Sequence, residues 1–119
     1  MYFIPKEFDF SQLKGDYIQQ ICFSINNIVL FLERKGSIKM EGRFTLSDEH
    51  GNLCIYETYP VNKDFGLLKL LEQRIEELNT NETRSDLIIS FENGFVLKLL
   101  GEEGYESYTL NIGEDRIII

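Results

Sequence analysis

Residues 64–78 read DFGLLKLLEQRIEEL, and the reading of this stretch decides the fold. At about 100° per residue, Leu67, Leu71, Ile75 and Leu78 fall on one stripe, with Leu68 and Leu70 on its margins and Lys69, Glu72, Gln73 and Glu76 opposite. The spacing predicts an amphipathic helix over 64–79. Asp64 or Asn62 would accept from the free amides of its first turn, and Asn79 would end it in the left-handed conformation. Arg74 is the discordant residue: it projects into the stripe between Leu67 and Leu70, so its guanidinium needs a carboxylate or a route to water while its stem packs. A helix of this kind lies on a sheet.

Working outward, residues 1–15 carry Phe3, Ile4, Phe8, Phe10 and Leu13 without a stable period, and Pro5 forbids a regular helix through its own position. They read as an arm, with a helical turn at 10–13 capped by Asp9 or Ser11. Residues 17–23 and 28–33, separated by Asn26-Asn27, form a hairpin whose second strand is apolar on both faces. Residues 37–46 alternate, with Ile38, Met40, Phe44 and Leu46 on one side. Gly42 falls at a core position and marks a bulge or a close backbone approach. Residues 53–59 complete a four-stranded meander over 16–59. On the far side of 64–79, residues 86–92 and 95–100 flank Asn93-Gly94, a dipeptide suited to a type I′ turn. Residues 105–112 and 116–119 then complete a second meander over 86–119. Leu32-Glu33 followed by Gly36 echoes Phe91-Glu92 followed by Gly94, but the register differs by one residue, and the likeness reads as recurring hairpin chemistry. The expected architecture is therefore one α+β domain over 1–119, antiparallel meanders flanking a central amphipathic helix packed on the sheet.

With 119 residues, 43% of them apolar and including nine Phe and six Tyr, the chain can bury a core without disulfide or metal. Cys22 and Cys54 lie far apart within apolar runs and read as free, buried thiols. Twenty acidic against twelve basic side chains give a formal charge of −8, which opposes nucleic acid and favours a basic protein as partner. No apolar run approaches the roughly 20 residues of a membrane span and the start lacks a leader pattern, so the expected location is cytoplasmic.

Catalytic signatures are missing: no GxSxG elbow, phosphate loop or dinucleotide fingerprint, and a single His50 in a polar loop. No cofactor, metal site or catalytic residue is expected. The constellation that stands out is Glu102-Glu103 between Gly101 and Gly104, followed by Tyr105-Glu106-Ser107-Tyr108. On a strand, Glu106 shares a face with Tyr108, Leu110 and Ile112; if that face is the inner one, Glu106 stands at the edge of an apolar layer and would pair there with Arg74 or Arg43. Glu102, Glu103 and Glu106 are the candidate binding residues.

The segment Phe91-Glu92-Asn93-Gly94 with its following strand, and Tyr105-Glu106-Ser107-Tyr108 after it, resembles the C-terminal hairpin of small bacterial domains similar to the immunity proteins of polymorphic toxin systems. That resemblance implies a bacterial cytosolic protein with an inhibitory or accessory binding role and brings no catalytic residue. The leading expectation is a non-catalytic protein-binding module. The alternative is a small ligand-binding domain or enzyme whose pocket lies between helix and sheet, with Glu106 and a tyrosine as its polar groups. A homo-oligomer through the edge strand at Ile117-Ile118-Ile119 is a further expectation.

Overall fold

The computed structural model describes residues 3–104 and 106–119, and there the chain is almost wholly β. Its strands are β1 (Ile18–Phe23), β2 (Ile28–Leu32), β3 (Gly36–Met40), β4 (Arg43–Ser47), β5 (Leu53–Glu57), β6 (Ile75–Thr80), β7 (Leu87–Phe91), β8 (Val96–Leu99), β9 (Tyr108–Ile112) and β10 (Asp115–Ile118). They form two five-stranded antiparallel sheets, ordered β1-β2-β3-β9-β10 and β5-β4-β8-β7-β6. One hydrophobic cluster draws on both, including Ile28, Leu30, Ile38 and Leu110 from the first and Phe44, Leu87, Ile89 and Leu97 from the second.

The expected α+β class and its central helix over 64–79 are therefore corrected. The helical elements among the described residues are two 3-10 turns, Phe10–Leu13 and Leu67–Leu70. The chain enters the second turn from Gly66 and leaves it through Glu72, both in the left-handed region (φ +78° and +67°), and Ile75–Thr80 then pairs with β7. Ile75 and Leu78 are both buried although three apart, because the β6–β7 register shifts between Ile75 and Glu77. A bulge adds one residue to the strand's period of two and so reproduces the i, i+3 spacing of a helix. Arg74 is exposed, its head 5.1 Å from the Tyr17 ring centre and donating to the Gly15 carbonyl at 2.7 Å.

The four-stranded meander expected over 16–59 divides between sheets. After Met40 the chain turns through Glu41-Gly42 out of the first sheet and into the second. Gly42 suits this close approach, since a Cβ there would stand 3.1 Å from Cα and Cβ of Ser107, tighter than side chains ordinarily pack. The hairpin at Asn93-Gly94 forms, but not through a type I′ turn: Gly94 alone of the pair has positive φ (+91°), Phe91 and Phe95 close the loop, and the Gly94 amide donates back to Phe91. This is a three-residue loop whose glycine takes the left-handed place. Cys22 is half-buried and Cys54 exposed, contrary to the expectation of two core thiols, because β5 is an edge strand.

The second half of the chain repeats the first. Advancing each strand of the first sheet by five, with the count returning to β4 and β5, produces the second sheet. Both β1–β2 and β6–β7 carry a register shift after their first pair, Ile18↔Leu32 and Ile75↔Phe91. The halves also exchange equivalent hydrogen bonds, Gly15 amide to Ile75 carbonyl and Glu72 amide to Ile18 carbonyl, each 2.8 Å, as a two-fold relation requires. Equivalent rows cross the outer faces: Ile118, Thr109, Lys39 and Val29 in the first sheet, Ile55, Thr45, Lys98 and Ile88 in the second. Leu32 and Phe91 do hold the same place, so the faint sequence likeness between them marks a structural repeat.

Candidate functional site

The repeat makes the acidic segment conspicuous. Gly42 is followed directly by Arg43 where the first half changes sheet; at the matching point of the second half, residues 102–106 stand between Gly101 and Ser107. The equivalence is set by two bonds, Glu41 amide to Ser107 carbonyl and Leu100 amide to Arg43 carbonyl, at 2.9 and 3.0 Å. Glu102, Glu103 and Glu106 all belong to this five-residue addition. Tyr105 lies outside the described residues.

The base of the addition is held firmly. The Gly101 amide donates to Asp86 Oδ1 at 3.0 Å and the Glu102 amide to Ser107 Oγ at 2.9 Å. Ser107 is buried, and its carbonyl accepts from the amides of both Glu41 and Gly42. Next to it the Tyr108 hydroxyl donates to the Ser85 carbonyl at 2.7 Å, and burial drives its phenol pKa far above the ordinary value, with Asp86 adding to the shift.

Glu103 and Glu106 are exposed, while Glu102 is half-buried and directed at Arg43, 3.5 Å from Nε. Arg43 also meets Glu57 at 3.0 Å through Nη2, since β4–β5 pairing sets those two residues opposite one another. The expected placement of Glu106 beside Tyr108 on the inner face is not met. Strand β9 begins at Tyr108, and the adjacent residues Ser107 and Tyr108 are both buried, so strict alternation does not extend back to Glu106.

Beside Arg43 a shallow cleft of about 310 Å³ runs along Glu41, Gly42, Glu57, Thr58 and the 62% exposed Tyr59. Arg43 lines the cleft as well and pairs with Glu57, and Lys39 stands 3.8 Å from Glu41, so what the cleft itself offers a cationic side chain is the exposed Tyr59 ring, through cation–π contact. Sequence reasoning missed Glu41, Glu57 and Tyr59 as members of this corner. No local motif marks them; strand register and the Glu41-Gly42 turn bring them to the acidic addition. The expected pocket between helix and sheet has no helix to form its wall.

Among the described residues no group of three or more His, Cys, Asp or Glu side chains is arranged to hold a metal ion, and no helix is long and apolar enough to cross a membrane. Fold and site together describe an internally duplicated, all-β chain with an acidic corner. Comparison with family models, curated proteins and solved structures finds no match to it.

Proposed function

We propose that this protein is a non-catalytic binding module whose acidic corner receives a basic protein. The observation that carries the reading is the addition of residues 102–106, with three carboxylates, at a junction that the other half of the same chain makes without it. A segment that the fold can omit is available for recognition. Glu103 and Glu106 supply the exposed charge; Arg43 holds Glu102 at the base, and Glu41, Glu57 and Tyr59 extend the surface along the cleft. The net charge of −8 would accelerate encounter with a cationic partner. On the resemblance of the C-terminal third to immunity proteins, that partner is the cationic domain of a bacterial toxin, met in the cytoplasm.

The test removes 102–106, joining Gly101 to Ser107 as Gly42 joins Arg43, and compares this variant with the parent and with Glu103→Lys/Glu106→Lys. Capture from lysate of the source organism is run at low and high salt. The expected result is a basic protein retained by the parent at low salt, released at high salt, and lost by both variants while their circular dichroism is unchanged. Equal retention by all three proteins at both salt levels, or capture by none, overturns the reading.

A further inference from the structure

Where the two halves meet, the chain departs from its own two-fold relation a second time. The positions that hold Gly15 and Tyr17 in the first half hold Glu72 and Arg74 in the second, so the seam gains a carboxylate and a guanidinium that its repeat does without. Glu72 carries its side chain in the left-handed region (φ +67°), where Gly15 (φ +83°) shows the residue that such a backbone favours. The two charged residues and Tyr17 line a cleft of about 260 Å³. A side chain kept in an unfavourable backbone conformation at the wall of a cleft points to a use for that side chain.

Opposite charges on one cleft could simply pair with each other, but these do not. Among the described residues Arg74 makes no ion pair with any carboxylate, and the Glu72 side chain makes neither a hydrogen bond nor an ion pair. The guanidinium is fixed from the protein side instead. It stacks on Tyr17, 5.1 Å from the ring centre, and Nη1 donates to the Gly15 carbonyl at 2.7 Å, which leaves its other donors for a ligand. We propose that the seam cleft binds a free α-amino acid, its carboxylate received by Arg74 and its ammonium by Glu72. A simple anion would meet Glu72 as a like charge, and a simple amine would meet Arg74 in the same way; a ligand bearing both charges satisfies both walls. The third wall is the phenol of Tyr17, and no aliphatic side chain lines the cleft, so a small polar amino acid suits it better than a large apolar one. The site is distinct from the acidic corner and uses none of its residues.

Exposed ion pairs in a shallow cleft give weak binding, so the measurement is a titration of the purified chain followed by amide NMR spectra, with glycine and L-serine as probes. Both should shift the amides of residues 15–18 and 71–75, saturating in the millimolar range. Acetate and methylamine, each carrying one of the two charges, should bind at least tenfold more weakly at the same ionic strength. Glu72→Gln and, separately, Arg74→Gln should abolish the shifts. Glu72 is exposed, so its variant keeps the parent's circular dichroism and reads the carboxylate alone. No saturable shift with either probe overturns the proposal, as do shifts confined to residues outside the seam, acetate or methylamine binding as tightly as glycine, or undiminished binding by either variant.

Discussion

Tyr17 and Arg74 hold the same position in the two halves of the fold, bridge one another directly, and stack with the guanidinium 5.1 Å from the ring centre. The pair joins the edge of one sheet to the edge of the other, where the reciprocal bonds Gly15–Ile75 and Glu72–Ile18 also cross. An arginine that appeared misplaced on a helical stripe is thus part of the seam between repeats.

Arg74→Ala should destabilise the protein by about 1 kcal/mol, combining an exposed cation–π contact with loss of the bond to the Gly15 carbonyl. A double-mutant cycle with Tyr17→Leu, read by urea denaturation, should return a coupling of about 0.5 kcal/mol. Additive single effects would remove the stacking contribution.

Gly15 and Glu72 occupy the matching left-handed positions, at φ +83° and +67°. Gly15→Ala should cost about 1 kcal/mol through backbone strain, because a Cβ there meets nothing closer than 3.9 Å. Glu72→Gly relieves the same strain in the other half and should be neutral or stabilise by up to about 1 kcal/mol. Thermal unfolding of the two variants should therefore move the midpoint in different ways, and a loss on Glu72→Gly equal to that on Gly15→Ala would contradict the assignment.

Ile75 is 1% exposed whereas Leu71 is only partly buried against the core. Ile75→Ala should cost about 2–5 kcal/mol in chemical denaturation. Leu71→Ala should cost less than half as much, although a helix would have placed both on one stripe. Equal losses would favour the helical reading.

Tyr108 is fully buried, and its phenol pKa is raised by burial first and by Asp86 second. In the unfolded chain the phenol loses its proton near pH 10, while in the fold it keeps it. The unfolded state then binds fewer protons, so stability is fully present below about pH 10 and declines as pH rises from there toward the folded value. Tyr108→Phe should lose about 1 kcal/mol at neutral pH, from the bond to Ser85, and show a shallower decline above pH 10. Parallel alkaline stability curves for variant and parent would rule this out.

The sequence by itself determined the features that rest on local chemistry. The first hairpin, the strands around Asn93-Gly94 and the corner glycine at 42 were all legible, because alternation, turn residues and a missing side chain act within a few residues. The outward place of Glu103 between the turn glycines was legible too, whereas the exposure of Glu106 and the half-buried place of Glu102 against Arg43 were not. Only the tertiary structure decided the fate of 64–79. Leu67, Leu71, Ile75 and Leu78 satisfy a helical period although a 3-10 turn and a bulged strand follow in succession there, and β7 together with the seam at Tyr17 and Ile18 selects that arrangement. The same bulge between Ile18 and Gln20 did no harm to the reading of β1, because residues 17–23 include Tyr, Ile and Phe that favour a strand; β6 carries Glu76, Glu77 and Leu78, which favour a helix when no partner strand competes. The repeat, the crossing of chain between sheets and the gathering of Glu57 and Glu102 around Arg43 are likewise long-range. They arise because antiparallel register brings distant residues opposite one another, and no pattern within a single strand records its partner.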